Sequence, residues 1–228
     1  MRSVLLFLLL AINYNIDCQT DTIGKVRFSP EFRFTDGIFL DFSQVKENAP
    51  IPKPRILTEL DYNDEQFFNQ LLEARKIFFF DNLGGKKEVE TKKLWGFSRN
   101  GNLYVRVGGE FYRITVVGSI CHFVANVSTY NQRYSDPFQY DRYYYPYGAY
   151  NYPPSNYESK EMRQFILDFS TGNVYDYEVK NMEVILMRDP VLHDEYMALS
   201  KKKKKQLKFM YIRKFNERNP LYLPLGIN

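Results

Sequence analysis

The hydrophobic pattern is clearest in the middle of the chain. There, short apolar and aromatic runs are cut at close intervals by glycine and asparagine. Leu94–Phe97, Leu103–Val107, Phe111–Val117 and Ile120–Val127 are separated by Arg99-Asn100-Gly101-Asn102, Gly108-Gly109-Glu110 and Gly118-Ser119. Asn-Gly suits a hairpin turn that needs positive φ, and strands this closely spaced leave no room for crossover helices. The pattern therefore predicts an antiparallel meander. A second hairpin is predicted from Arg163–Phe169, the Ser170–Asn173 turn and Val174–Val179. Upstream, Lys25–Phe34 reads as a short edge strand interrupted by Pro30. Ile38–Leu40, Ile56–Leu60 and Ile77–Phe80 read as short strands, and Ser43–Asn48 as one helical turn stopped before Pro50. Phe67, Phe68, Leu71 and Leu72 after Asn63-Asp64-Glu65 suggest a short helix or an elaborated loop. Gly84-Gly85-Lys86-Lys87 reads as a solvated turn.

The period changes after Arg188. Asp189-Pro190 is a good helix start, because Asp caps and Pro suits the first turn. Leu192, Tyr196 and Leu199 lie at helical spacing, and so do Leu207, Met210, Tyr211 and Phe215. The pattern leaves open whether residues 190–218 form one helix or two. Strands followed by helices predict an α+β domain over residues 19–228, with a basic helical segment at 190–218 packed on one face or edge of the sheet.

Several strings resemble a family of uncharacterised exported gram-negative bacterial proteins of the Bacteroidetes type. They are Asp36-Gly37-Ile38-Phe39-Leu40-Asp41-Phe42 with Asn48 and Pro50, Leu94-Trp95-Gly96-Phe97, and Phe111-Tyr112-Arg113-Ile114 with Gly118 and Phe123. Gly101-Asn102-Leu103-Tyr104-Val105 and the C-terminal Asn216–Pro220 belong to the same resemblance. It implies a periplasmic or secreted setting and brings no catalytic residues, because its motifs are turns and aromatic strands.

The N-terminus agrees with that setting. Met1-Arg2, the apolar run Val4–Ile12 and polar Asn13–Asn15 have the layout of a secretory signal peptide, with cleavage expected after Cys18. The run is too short for a mature membrane span, and no later segment qualifies as one. A lipid anchor on Cys18 is the weaker alternative, because Asp17 sits where such signals want a small residue. Losing Arg2 and Asp17 with the leader leaves 30 basic and 26 acidic residues, a net of +4. Residues 200–215 hold eight basic residues and no acid, so the remainder nets −4. The positive charge is thus one segment, Lys201, Lys202, Lys203, Lys204 and Lys205 foremost. It would serve an anionic envelope component, a glycan or an anionic membrane, or else be a solvated helix face. Nucleic acid is the least expected partner of an exported chain that lacks a recognition motif.

Residues 129–157 hold ten of the 19 tyrosines, with four prolines and no regular period. They read as a loop insertion, taken as 129–160, between two β regions. Arg142, Tyr143, Tyr144, Tyr145 and Tyr147 would make an adhesive or glycan-stacking surface; a low-complexity insertion with no ligand is the alternative. Trp95 reads as core. Cys121 and His122 are adjacent in a strand, so they face opposite ways and cannot form a dyad. Cys121 reads as a buried small hydrophobe. Two His and one mature Cys leave little for a metal site, and no nucleophile elbow, phosphate loop or dinucleotide fingerprint is present. Asp61, Asn63 and Glu65 begin like a calcium loop, but Gln66 stands where glycine is needed. No cofactor is expected. The expectation is a non-enzymatic structural or binding protein of the bacterial envelope. The alternative is a carboxylate-dependent hydrolase of glycan or peptide drawing on Asp141, Glu158, Asp168 or Glu178.

Overall fold

The computed structural model describes residues 24–131 and 157–226, with the side chains of 128–131 and 157–160 outside the description. Residues 1–23, which include the expected leader, and the tyrosine-rich residues 132–156, including Arg142, Tyr143, Tyr144, Tyr145 and Tyr147, also lie outside the described residues.

The architecture is α+β. Seven strands form the main sheet: β2 (Gly37–Phe39), β6 (Gly96–Arg99), β7 (Asn102–Val107), β8 (Glu110–Val116), β9 (Ile120–Asn131), β10 (Tyr157–Asp168) and β11 (Val174–Asp176). From β6 to β11 their order in the sheet is their order in the chain, and every pairing is antiparallel, so the predicted meander is present. Its β6–β7 turn shows why Asn-Gly is there. Asn100 has φ 52° and Gly101 φ 72°, the pair of positive values that a two-residue hairpin of the primed type requires. The Asp36 carboxylate accepts hydrogen bonds from both amides, at 3.0 and 3.1 Å, and fixes the turn against the entry to β2. Gly96 has a different role. A Cβ there would lie 2.1 Å from the Tyr104 carbonyl oxygen of the neighbouring strand.

Two smaller sheets flank the meander. β3 (Ile56–Leu57), β4 (Lys76–Phe80) and β5 (Lys86–Glu90) form one, and β1 (Lys25–Arg27) pairs with β12 (Tyr222–Pro224) in the other. β3 is shorter than the predicted Ile56–Leu60. Lys86 and Lys87, expected in a solvated turn, begin β5. The helices are α1 (Phe42–Lys46), α2 (Phe67–Glu73), α3 (Val179–Leu186), α4 (Pro190–Met197) and α5 (Lys201–Arg218). The predicted strand Val174–Val179 therefore stops at Asp176 and gives way to a helix. Residues 190–218 are two helices, broken at Ala198–Ser200, where Ser200 caps α5. β9 and β10 pair from Ile120↔Asp168 to Asn131↔Tyr157, so the expected insertion 129–160 is strand at both ends.

Strand alternation divides the core. Cys121, Phe123, Ala125, Phe165 and Leu167 face one side of the sheet, where they pack with Phe32, Phe34, Phe39 and Leu223. Trp95 joins this layer half-buried, its ring 5.4 Å from Phe42 and 6.5 Å edge-on to Phe39. On the other side, Ile38 and Phe97 pack with Phe67, Phe68, Ile77 and Phe79 at the β2–β7 end. Ile120 and Ile166 pack with Met182, Ile185, Tyr196, Ile212 and Phe215 at the β9–β10 end. Each fully buried Phe or Ile of these layers stabilises the fold by roughly 1.5–3 kcal/mol. α5 is seated on the sheet by Asn216. Its amide oxygen accepts from Ile120 N at 2.8 Å and its amide nitrogen donates to Ile120 O at 2.9 Å. Gly118 makes room for that contact, since a Cβ there would collide with the Asn216 amide.

Candidate anionic-partner surface

The site is built on the helical lobe. Asp189 ties its two ends together. The carboxylate accepts from Leu192 N at 3.2 Å, capping α4 as its position before Pro190 predicts. It also accepts from Arg218 Nε at 2.6 Å and from Asn219 Nδ2 at 3.1 Å, at the far end of α5. The Arg218 guanidinium hydrogen bond holds the Asp189 carboxyl at about 2, below the usual carboxylate range.

α5 then presents its cations in two ways. Tyr211 and Phe215 are buried on its inner stripe, and Lys208 and Lys204 lie on the same stripe, one and two turns before Tyr211. Lys204, predicted as part of the open binding surface, is turned inward. Its ammonium meets Glu183 of α3 at 2.7 Å and Met197 Sδ of α4 at 3.3 Å, and its side chain is 11% exposed. The reason is the helical period: five consecutive residues cover more than one turn, so one of them must face the core. Lys208 lies 3.8 Å from the Tyr177 ring centroid and donates to the Tyr177 carbonyl, and burial lowers its pKa. Lys214 pairs with Glu195 at 2.9 Å.

The other five cations of residues 200–215 make no ion pair with any described residue. Lys201, Lys202, Lys203, Lys205 and Arg213 are all exposed. Four of them crowd the first turn and a half, and no acidic residue lies in the first turn. Cations there oppose the positive end of the helix dipole and repel one another. Among the described residues none of these charges has an acidic or aromatic partner, which separates them from Lys204, Lys208 and Lys214. Sequence reasoning included Lys204 and left out Arg213, Phe209 and Met210 of the outward row. The 3.6-residue period running back from Phe215 and Tyr211 carries the signal that sorts them.

His122 lies under the same helix. Its ring packs at 4.9 Å from Tyr177 and 5.6 Å from Phe209, and Nε2 is 3.0 Å from Gln164 Oε1. Burial lowers its pKa; the Gln164 hydrogen bond opposes that shift and the Lys208 charge adds to it. On the opposite face of the strand, Cys121 is fully buried, as expected, and burial pushes its thiol up to about 12.

A cavity of about 650 Å³ lies between the end of α1, the Pro50–Pro52 segment, β4 and the C-terminal strand. Arg55, Asp81 and Asn48 in its lining serve its own walls. Arg55 donates to Phe80 O and Asn82 Oδ1, and Asp81 accepts from Leu83 N and Gly85 N. Asn48 accepts from Thr35 N at 2.9 Å and donates to Pro224 O at 3.2 Å. Of the carboxylates considered for hydrolysis, Asp168 is taken up by Arg188 at 2.9 Å and by Ser170, and Glu178 is exposed. The Asp141 and Glu158 side chains lie outside the described residues. Among the described residues, no cluster of three or more His, Cys, Asp or Glu could hold a metal, and no helix is long and apolar enough to cross a membrane. Comparison with known proteins places no other molecule beside this lobe: no family model, no curated protein and no solved structure matches the chain.

Proposed function

We propose that the protein is an exported, non-enzymatic binding protein of the bacterial envelope that holds an anionic component against α5. One observation carries the reading. Lys201, Lys202, Lys203 and Lys205 are exposed at one end of a helix, with no counter-charge among the described residues and at a cost to that helix. The other lysines of the same run are committed to Glu183, Glu195 and Tyr177. An anionic ligand would remove both the mutual repulsion and the conflict with the dipole. The leader-like N-terminus supports delivery to the envelope.

The test is retention on immobilised dextran sulfate in a salt gradient. Replacing Lys201, Lys202, Lys203 and Lys205 together by Gln is expected to bring elution to clearly lower salt, because exposed charge contacts are screened. Elution of that variant at the wild-type salt concentration would overturn the reading.

A further inference from the structure

The outward row of α5 is not purely basic. At 100° per residue, Lys202, Lys205, Gln206, Phe209, Met210 and Arg213 fall within about 140° of arc, over about 17 Å of helix. All six are exposed. Phe209 is 41% and Met210 39% exposed, between the lysines on one side and Arg213 on the other. The Phe209 ring meets His122 almost perpendicularly, at 5.6 Å between centroids, and about two-fifths of Phe209 and of Met210 stays in solvent. A soluble polyanion would engage the cations and gain nothing from these two side chains. The interface of an anionic bilayer takes both kinds of group. Its phosphates receive the ammonium and guanidinium ends, and its headgroup–acyl boundary receives an aromatic ring and a thioether.

From this row we infer that α5 docks side-on to an anionic phospholipid bilayer, with Phe209 and Met210 entering the interface and Lys202, Lys205 and Arg213 on the lipid phosphates. The inference rests on the reading of α5 as an anionic-partner surface and names that partner. Glu217, one turn beyond Arg213, marks the end of the row. The inner stripe of the helix stays in the protein core, so docking needs no unfolding and buries little apolar area. Binding is therefore reversible and strongly salt-dependent.

The experiment is flotation of the protein, purified from cells expressing the whole chain. Vesicles of 30% phosphatidylglycerol in phosphatidylcholine are compared with pure phosphatidylcholine, with soluble dextran sulfate binding as a parallel arm. Wild type is expected to float only with the anionic vesicles. Lys202→Gln/Lys205→Gln should lower partitioning by about 25-fold, at roughly fivefold per charge. Phe209→Ser/Met210→Ser should lower it by about tenfold while leaving dextran sulfate binding unchanged. Met210→Ser alone, whose side chain leaves the His122 contact intact, should lower it by about threefold, which keeps the test decisive if the double variant melts early. Binding to dextran sulfate without flotation would overturn the bilayer inference and leave the broader reading standing. Flotation indifferent to Phe209 and Met210 would also overturn the bilayer inference. Failure to bind either probe, or indifference of both to the lysine changes, would overturn both.

Discussion

Replacing Glu183 by Gln tests whether Lys204 belongs to the fold or to the surface. The change keeps the size of the side chain and removes the charge that faces Lys204 at 2.7 Å. An ammonium left unpaired in a core costs about 3–5 kcal/mol, whereas an exposed pair is worth about 0–1 kcal/mol. Here the lysine side chain is 11% exposed and the glutamate 29%, so water reaches the pair from the Glu183 side. The expected cost lies between the limits, at about 2 kcal/mol, which corresponds to a fall in Tm of roughly 4–8 °C for a domain of this size. Lys204→Met removes the charge that needs a partner and keeps a long apolar stem against Met197 and Tyr196, so its cost should stay below about 1 kcal/mol. In a double-mutant cycle the two changes should therefore couple by about 1.5 kcal/mol. Urea denaturation followed by circular dichroism reads all four corners of the cycle. If Glu183→Gln lies within about 0.5 kcal/mol of wild type, or the two changes simply add, Lys204 is not held as described and the division of the lysine run fails.

Three further outcomes follow from the sheet. Burial keeps the pKa of His122 below its ordinary value, so between the folded and unfolded values the unfolded chain binds more protons. The stability due to His122 should be fully present above about pH 6.5 and decline as the pH falls, and His122→Gln should flatten that decline in urea titrations between pH 8 and 5. A wild-type advantage that grows on acidification would refute this. Cys121, with its thiol raised to about 12 and its Sγ donating to Gly118 O, should resist a thiol reagent until denaturant is added; prompt labelling of the native protein would contradict its burial. Gly96→Ala forces a methyl against the Tyr104 carbonyl of a paired strand and should cost about 3 kcal/mol in urea unfolding; a near-neutral result would mean that β6 and β7 do not approach as described.

The meander was legible because its turn chemistry is local. Asn100-Gly101 and Gly108-Gly109 take positive φ where the sequence predicts turns, and the flanking runs are strongly apolar or aromatic. The missed elements lack local signals. β5 has one apolar residue, Val89, in Lys86–Glu90, and exists because its backbone completes the edge of β4. β12 is a strand only through β1, nearly two hundred residues earlier. α3 starts after Glu178, whose side chain does not cap it, and follows Val174–Tyr177, whose aromatic pattern continues that of a strand. The lysine run was legible as a charge feature and illegible in detail. Identical neighbours carry no internal phase, and the phase is supplied by Tyr211 and Phe215 farther along the helix. Phe209 and Met210 were hidden for the converse reason. Met210 sits at core-like spacing beside Tyr211, and which of the two turns outward depends on where α5 lies on β9.

The division of five lysines into four that serve a partner and one that serves the core is tested most directly by ligand-induced stabilisation. Thermal melting is followed with and without dextran sulfate, for wild type, for the fourfold Lys201/Lys202/Lys203/Lys205→Gln variant and for Lys204→Met. A polyanion that binds only the folded state raises Tm by mass action. Wild type and Lys204→Met should show the same rise. The fourfold variant should melt no lower than wild type without ligand, since it sheds cations from the positive end of a helix, and should show a much smaller rise with it. An equal rise in the fourfold variant, or its loss in Lys204→Met, would contradict the account.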